Sequence, residues 1–130
     1  KEKIILFMFS FHKQERLNNK KRINKLFSSG KFFSQEPFHI YWLETKQETS
    51  IIELLVSVPK KNIKLAVNRN IIKRMVKEAY RLNKKALHEQ VNREKKSFSV
   101  AIIYMNNKIP SYLYVEKKIK LILERFTTII

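Results

Sequence analysis

Two amino acids are missing from this chain of 130 residues, cysteine and aspartate, and glycine occurs only once. Without cysteine there is no disulfide, no thiolate metal site and no cysteine nucleophile, which is consistent with a reducing compartment. The lack of aspartate removes the usual carboxylate of hydrolytic dyads and magnesium-dependent nucleases, although glutamate could replace it in principle. One glycine and three prolines leave no flexible linker, so we expect a single domain.

Histidine is nearly as scarce, and His12, His39 and His88 are the only residues of this type. None of them stands at the HxxxH or HxH spacing that would bring two imidazoles onto one metal ion. The sequence therefore predicts no catalytic side-chain cluster and no metal site carried by the protein.

No apolar run is long enough to cross a membrane. Residues 4–9 read IILFMF, but a spanning helix needs about 20 apolar residues. Polar and charged residues follow at once, without a small-residue cleavage site. We interpret residues 1–12 as an N-terminal extension or added strand, and residues 13–130 as the domain.

The charge is strongly one-sided, because 28 lysines and arginines stand against 11 glutamates and give a formal net charge of +17. With 44% hydrophobic and 12% aromatic residues, the chain still has enough apolar material for one core. Such a charge causes self-repulsion in a folded monomer and so favours a polyanionic partner. Nucleic acid is the leading candidate, ahead of a membrane surface or an acidic protein.

The first predicted element is a short helix over residues 19–28. Asn18 and Asn19 are possible N-caps, and Gly30 stands where a left-handed residue often ends a helix. The other predicted elements, from their hydrophobic periods, are strands at 31–34, 38–43, 51–58 and 98–105, and helices at 62–89 and 116–126. The order αβββαβα indicates an α+β fold in which helices and a small mixed sheet share one core.

Residues 38–43 alternate in the period of a strand with one buried face. Phe38, Ile40 and Trp42 should therefore point inward, whereas His39 and Tyr41 lie on the opposite face. An exposed tyrosine beside cations suits stacking on an unpaired base, and it equally suits simple cover for the sheet edge. The residues alone leave both roles of Tyr41 open.

The most informative segment is the predicted helix over 62–89, which contains no glycine or proline. On a helical wheel its apolar residues share one arc: Leu65, Ile72, Met75, Val76, Ala79, Leu82 and Ala86. The opposite arc is a row of cations: Arg69, Lys73, Arg74, Lys77, Arg81, Lys84 and Lys85. Cations four residues apart repel one another, whereas a row of phosphates turns that repulsion into attraction. We therefore favour nucleic acid over an incidental solvated face.

The kind of nucleic acid follows from the motifs that the sequence lacks. The chain has no zinc-finger spacing, no heptad zipper behind the basic helix and no helix-turn-helix pair, so it matches none of the common DNA-reading modules. Aromatic strands of the RNP type are also absent. Recognition of a folded RNA by its shape and backbone is the better interpretation, and no DNA partner is expected.

Several short stretches carry a family resemblance. They are Arg16-Leu17, Leu26-Phe27 followed by Gly30, Pro37-Phe38-His39-Ile40-Tyr41, Val56-Ser57-Val58-Pro59-Lys60-Lys61, and above all Ala66-Val67-Asn68-Arg69-Asn70-Ile71-Ile72-Lys73-Arg74. Through them the sequence resembles the protein subunit of bacterial ribonuclease P from about residue 13 to residue 126. The helix motif is the specific part, and Ile71 replaces the second arginine of the family's usual Arg-Asn-Arg.

The resemblance implies a non-catalytic subunit of a cytoplasmic bacterial ribonucleoprotein. In that family the catalytic RNA removes the 5′ leader of precursor tRNA with magnesium held mainly by the RNA, while the protein helps to bind the leader and the metal. The resemblance also implies a sandwich fold like that of a domain in a small-subunit ribosomal protein. It further implies a left-handed crossover between two parallel strands, against the usual handedness.

Residue by residue, the resemblance implies two groups of contacts. The residues that would touch the catalytic RNA or its metal-rich neighbourhood are Arg16, Lys61, Arg69, Asn70, Lys73, Arg74 and Arg81. The cleft for the single-stranded leader would be formed by Phe27, His39, Tyr41 and Lys77. In this cleft His39 is expected to be a wall rather than an acid or base.

Two other functions are compatible with the residues alone. A structural RNA-binding protein of the ribosome, or a general RNA chaperone, would use the same cations without any role in processing. A protein nuclease would need carboxylates, and Glu53 and Glu78 are the only central ones.

Overall fold

The computed structural model describes residues 15–46 and 51–130 as a four-stranded sheet with four helices. In chain order the elements are α1 (Lys20–Ser29), β1 (Lys31–Gln35), β2 (Phe38–Thr45), β3 (Ile52–Ser57), α2 (Ala66–Asn83), α3 (Lys85–Glu94), β4 (Ser97–Tyr104) and α4 (Tyr112–Ile129). The predicted extension at residues 1–12 lies outside the described residues. Within the described part, no helix is long and apolar enough to cross a membrane.

The sheet is mixed, with the strand order β1-β2-β4-β3. β1 pairs with β2 and β2 with β4 in antiparallel fashion, whereas β3 runs parallel to β4. A parallel neighbour requires a crossover connection, and α2 and α3 provide it. The α+β architecture with a small mixed sheet is thus confirmed, and the left-handedness of the crossover stays a prediction.

One face of the sheet forms the main core together with α2, α3 and α4. Phe38, Ile40 and Trp42 are all buried on this face, as their alternation predicted. Trp42 also packs edge-on against Phe126 of α4, with ring centroids 5.4 Å apart. Burial of side chains this large contributes about 1.5–3 kcal/mol each, so the face of β2 that enters the core is firmly set. His39 and Tyr41 are consequently turned to the other face.

The opposite face of the sheet carries α1. Leu17 and Leu26 pack there with Ala101 of β4 in a second, smaller apolar cluster. Beside this cluster Arg22 of α1 reaches Glu53 of β3, with Nη1 2.7 and 2.8 Å from the two carboxylate oxygens. Both apolar packing and an ion pair therefore hold α1 on the sheet.

α1 begins as predicted and ends differently. The side chain of Asn19 caps the helix by accepting from the N–H groups of Lys21 and Arg22. Gly30 is extended, with φ −75° and ψ 160°, so the predicted left-handed conformation is wrong. Glycine serves close approach instead, because a Cβ there would lie 2.3 Å from the carbonyl oxygen of Leu26. The chain passes from α1 into β1 with no room for a side chain.

The predicted helix over 62–89 is wrong at its start. A turn follows Pro59, whose carbonyl oxygen accepts from the N–H of Asn62 at 3.0 Å. The side-chain amide of Asn62 also donates to the carbonyl oxygen of Tyr104 at the end of β4, at 3.2 Å. α2 begins only at Ala66. A tertiary contact thus overrides helix propensity over four residues that contain good helix formers.

The same segment is interrupted at Lys84, which divides it into α2 and α3. The side-chain amide of Asn83 donates to the carbonyl oxygen of Ala79 at 2.8 Å, in competition with the backbone ladder. Lys84 is buried, and its ammonium group binds Glu15 of the N-terminal segment. The prediction of one continuous helix is therefore wrong, because it could not include this distant partner.

The apolar arc predicted for the long helix is confirmed only in its middle. Ile72, Val76 and Ala79 are buried in α2, whereas Leu65 and Leu82 are exposed. α4 is longer than the predicted 116–126 at both ends. Ser111 caps the N-terminus of α4, and a serine at this position could have located the start of the helix.

Lys95 ends α3 in the left-handed region, with φ 53° and ψ 46°. A residue with a Cβ is strained there by about 1–2 kcal/mol, so Lys95→Gly should raise the free energy of unfolding by roughly 1 kcal/mol after the entropic cost of glycine. Urea denaturation measures the change. Lys95→Ala is the matched control, because it removes the charge and keeps the Cβ. An equal gain in the free energy of unfolding for both variants would show that the gain comes from loss of the charge and not from relief of backbone strain.

Candidate nucleic-acid interface

Four aromatic side chains gather on the sheet face that carries α1. Phe27, near the end of α1, meets Tyr41 of β2 edge-on with ring centroids 5.0 Å apart. Phe32 of β1 is paired with Tyr41 in the strand register, and its ring lies 5.1 Å from those of Tyr41 and His39. We call Phe27, Phe32, His39 and Tyr41 the aromatic cluster. It brings together three of the four residues assigned to the leader cleft.

The aromatic cluster is accessible rather than part of the core. Phe32 is 50% exposed and Phe27 is 40% exposed, although both are large apolar rings. Exposed rings of this kind suit stacking on unpaired bases. Phe32 is absent from the residues predicted above, yet a signal for it was present. Because Phe33 enters the core, the alternation of a strand turns Phe32 toward the face of His39 and Tyr41.

The His39 end of the aromatic cluster opens into a groove of about 320 Å³ between the β1–β2 turn and the end of β4. Its lining includes hydrogen-bonding groups from Ser34, Glu36 and Asn106. A stacking surface beside polar groups is the arrangement that recognises splayed bases of a single strand. The cluster and the groove together therefore suit a single-stranded segment of RNA.

Three cations of interest come from α2 and from the N-terminal segment. Lys73 and Lys77 stand four residues apart on α2, and Arg16 forms an isolated parallel bridge with Leu54 of β3. Burial lowers the pKa of Lys77, and the charges of Arg16 and Lys73 lower it further. We call Arg16, Lys73 and Lys77 the cation group. Because Arg16 and Lys73 both act on Lys77, an anion beside Lys77 would be attracted by all three charges.

The other residues predicted to touch the catalytic RNA lie on or near α2. Asn70 and Arg74 are exposed on this helix, and Lys61 is exposed in the turn before it. The resemblance assigns Lys77 to the leader cleft, whereas its position on α2 places it in the row of cations with Lys73. The predicted residues thus fall into a cationic region along α2 and an aromatic region on the sheet.

Arg69 has a structural role that the sequence did not reveal. Its Nη1 atom donates to the carbonyl oxygens of Ile63 and Lys64, at 3.0 and 2.7 Å, and so closes the loop before α2. Both bonds come from one nitrogen of a guanidinium group that carries five N–H donors. Arg69 therefore fixes the loop that presents Lys61 and keeps further donors for an RNA contact.

Arg81 is engaged within the protein by Glu78. Its Nε lies 3.1 Å from a carboxylate oxygen, and a second guanidinium nitrogen binds the other oxygen. The bond to Glu78 raises the pKa of Arg81, and the bond to Arg81 lowers the pKa of Glu78. An exposed pair of this kind contributes little to stability, so a phosphate can compete for Arg81. Its assignment to RNA stays a prediction.

Lys84 does not belong to the cationic face, contrary to the prediction from the helical wheel. Its side chain is 1% exposed, and Nζ lies 2.7 and 2.8 Å from the two carboxylate oxygens of Glu15. The wheel assumed a solvated helix end, whereas the N-terminal segment packs there. Lys85, the next residue, is exposed on α3.

The two central carboxylates both bind arginine side chains. Arg22 holds Glu53, and Arg81 holds Glu78. Over residues 15–46 and 51–130, no group of three or more histidines or glutamates could hold a metal ion. Both carboxylates are thus engaged within the protein, and the aromatic and cationic regions are the surfaces suited to RNA.

Known sequences of one family are similar to this chain. The sequence model of the family Ribonuclease P matches residues 11–127. The ribonuclease P protein component of Porphyromonas gingivalis is 36% identical over 110 residues, which cover 84% of this chain and 80% of that protein. The ribonuclease P protein component of Chlorobium phaeobacteroides is 30% identical over 125 residues, with coverages of 88% and 86%.

Solved structures share the fold. The RNase P protein of Staphylococcus aureus matches with a TM-score of 0.64 at 21% identity, covering 86% of this chain and 94% of that one. The RNase P protein of Thermotoga maritima matches with a TM-score of 0.64 at 24% identity, covering 85% and 96%. At these identities the structural likeness supports the architecture, and the sequence relatives carry the family assignment.

Proposed function

This chain belongs to the ribonuclease P protein family, and on that premise we propose that it binds the catalytic RNA of ribonuclease P and the 5′ leader of precursor tRNA. As a family member it is a component of ribonuclease P and acts in tRNA processing. The RNA subunit performs the cleavage in this proposal, and the particle works in the bacterial cytoplasm. The comparisons give no support to a ribosomal or chaperone role.

The observation that carries the proposal is the cation group. Arg16 and the two lysines come from two distant chain segments, which the bond between Glu15 and Lys84 joins. The pKa of Lys77 is lowered by burial and then by the charges of Arg16 and Lys73. Folding alone opposes such a gathering, because like charges repel. RNA phosphates would reverse the sign of the interaction and release condensed counterions.

The leader is assigned to the aromatic cluster. A single strand has unpaired bases, and Phe27, Phe32 and Tyr41 offer rings against which bases can stack. His39 contributes a ring beside the groove rather than a proton in this scheme. The cationic region would hold the catalytic RNA while the aromatic region holds the leader.

Magnesium is assigned to the RNA. The described residues contain no cluster of carboxylates and histidines that fits the ion, so we derive no step through a metal on this protein. Its cations would act on the RNA backbone, where they reduce repulsion between the catalytic RNA and its RNA substrate.

Reconstitution tests the proposal. The protein is mixed with a bacterial ribonuclease P RNA and a precursor tRNA at a magnesium concentration too low for the RNA alone, and 5′ cleavage is followed on a gel. We expect cleavage to appear with the protein. Unchanged cleavage would contradict the proposal, as would hydrolysis by the protein without any RNA subunit. Competition by mature tRNA separates leader binding from general RNA binding.

Two substitutions on α2 test the cationic region. Lys73→Ala and Arg74→Ala should each weaken binding to the catalytic RNA by roughly 1–3 kcal/mol, as loss of a charge-assisted hydrogen bond does. Filter binding over a salt series measures the affinity, and the salt slope should fall by about 0.7–0.9 for each lost phosphate contact. Lys117→Ala removes an exposed cation of α4 and serves as the control. An effect of Lys117→Ala equal to the others would show non-specific attraction only.

One substitution tests the aromatic cluster. Phe32→Ala should weaken binding of precursor tRNA to the reconstituted particle by about 1–2 kcal/mol, since one stacking surface is lost. Binding of mature tRNA, which lacks the leader, should not change. Leu113→Ala removes a more exposed apolar side chain on α4 and should alter neither affinity. If Phe32→Ala weakens both tRNAs equally, the ring does not contact the leader.

A further inference from the structure

A buried ion pair ties the N-terminal segment to the junction of α2 and α3. The ammonium group of Lys84 lies 2.7 and 2.8 Å from the two carboxylate oxygens of Glu15, and the side chains are 1% and 2% exposed. Taking two charges out of water is so costly that such a pair often stabilises a fold no better than apolar residues. The presence of this buried pair is therefore explained better by the residues that it positions than by a gain in stability.

The pair fixes the neighbourhood of Arg16. Glu15 and Leu17 are buried, whereas Arg16 between them is exposed. On the other side of Arg16, the N–H of Leu17 donates to the carbonyl oxygen of Leu54 in β3 at 2.9 Å. Arg16 thus lies between two anchored residues at the edge of the sheet.

Arg16 also needs an anchor more than the other members of the cation group do. Lys73 and Lys77 are carried by the backbone of α2, which holds their spacing without further help. Arg16 reaches the same region from a segment distant in the chain, with an isolated bridge to Leu54 as its own strand pairing. Glu15, the neighbour of Arg16, binds Lys84 at the end of α2, two helical turns after Lys77 on the same side of the helix, and this brings Arg16 to that part of α2. In agreement, the pKa of Lys77 is lowered first by burial and then by the charge of Arg16.

We propose that the Glu15–Lys84 pair is a latch that holds Arg16 beside the C-terminal half of α2, near Lys77, so that cations from two chain segments bind one stretch of RNA phosphates. Glu15 and Lys84 are then positioning residues for RNA binding, since they act through Arg16 and need not touch RNA. This inference rests on the proposed function. It explains why two charges are buried beside a surface that binds polyanions.

The test compares the effect of removing Arg16 with and without the latch. The unlatched chain carries Glu15→Ala and Lys84→Met, which remove both charges together while methionine fills much of the space of the lysine stem. Binding of a bacterial ribonuclease P RNA is measured at fixed salt for each chain with and without Arg16→Gln. We expect Arg16→Gln to weaken binding roughly tenfold in the latched chain and by less than about twofold in the unlatched one.

Lys73→Gln is the matched control, because α2 holds Lys73 in both backgrounds. It should weaken binding by the same factor with and without the latch. An equal effect of Arg16→Gln in both backgrounds would overturn the latch and leave the proposed function intact. If neither Arg16→Gln nor Lys73→Gln weakens binding in the natural chain, the proposed function itself fails.

A conservative variant separates positioning from mere stability. Glu15→Gln keeps the side-chain shape and an oxygen that accepts from Lys84. In a chain with Glu15→Gln, Arg16→Gln should therefore weaken binding almost as much as it does in the natural chain. If the pair were purely structural, its removal would lower the melting temperature, and Arg16→Gln would weaken binding by the same factor with and without the pair. Circular dichroism checks that every variant is folded. If the double variant is not, Lys84→Met alone replaces it, because Glu15 without that cation can bind a proton and stay buried.

Discussion

Replacing Glu15 by alanine is expected to lower the free energy of unfolding by about 3–5 kcal/mol, the usual cost of removing one partner from a buried ion pair. The ammonium group of Lys84 is 1% exposed and loses both carboxylate oxygens at once. It must then either remain in a poorly solvated place with fewer partners or disturb its surroundings to reach water. Both outcomes disfavour the folded state.

Urea denaturation at neutral pH, followed by circular dichroism, measures this loss. Glu78→Ala is the matched control, because it breaks an ion pair whose partners are 32% and 47% exposed; it should cost less than about 1 kcal/mol. Adding Lys84→Met to Glu15→Ala should restore part of the stability, since both charges are then gone. A cost for Glu15→Ala as small as that for Glu78→Ala would contradict the expected effect of burial.

Acidification is expected to destabilise the protein by about 3 kcal/mol at pH 4 through His88 alone. Burial, and then the charge of Lys84, lower the pKa of this imidazole from 6.5 to about 4 in the folded state. The unfolded chain has the ordinary pKa and takes up the proton first. The contribution is therefore fully present above pH 6.5 and is lost as the pH falls toward 4.

The surroundings of His88 explain why it resists protonation. Its Nε2 lies 2.8 Å from the hydroxyl of Tyr80, a residue whose own pKa is raised by burial and then by the charge of Glu15. The ammonium group of Lys84 adds a repulsive charge. Burial of the ring, and then the charge of Lys84, thus favour the neutral imidazole.

His88→Gln tests this pH dependence directly. The amide can still form a hydrogen bond with Tyr80, and it cannot take up a proton. Urea denaturation at pH 7 and at pH 4 should show a smaller loss for the variant, by about 3 kcal/mol. Equal losses in the two proteins would mean that the carboxylates alone cause the acid sensitivity.

The architecture could be predicted where the pattern is local. The alternation of Phe38, Ile40 and Trp42 predicts the buried face of β2, and these three side chains are buried as expected. Asn19 likewise caps α1. In both cases the residues that decide the structure are neighbours in the chain, so their spacing carries the information.

The predictions failed where a distant contact decides. Lys84 looks like one more cation on a helical wheel, yet Glu15 binds it in the interior. Gly30 looks like a left-handed helix end, yet it is extended and passes close to the carbonyl oxygen of Trp42 in β2. No period or spacing in the sequence reports either contact.

The residues of the candidate site also divide into those that a local pattern predicts and those that depend on a contact elsewhere in the chain. The family motif and the charge pattern predict the cations of α2, and the alternation of β2 predicts the face of His39 and Tyr41. The alternation of β1 also predicts the face of Phe32, and the family resemblance predicts Arg16 as an RNA contact. The anchoring of Arg16 required the fold, because Glu15 beside it binds Lys84 and Arg16 itself bridges to Leu54 of β3. Side chains brought from elsewhere in the chain are the ones that sequence spacing cannot place.

The bridge between Arg16 and Leu54 also bears on solubility. β3 is the last strand in the order β1-β2-β4-β3, and it reads IELLVS, an apolar and β-prone stretch. An open edge of that composition can template the strand of another molecule and begin aggregation. Arg16 and Leu17 occupy part of that edge through the bridge and the hydrogen bond to Leu54. The segment that carries Arg16 therefore also shields part of this edge from pairing with a second chain.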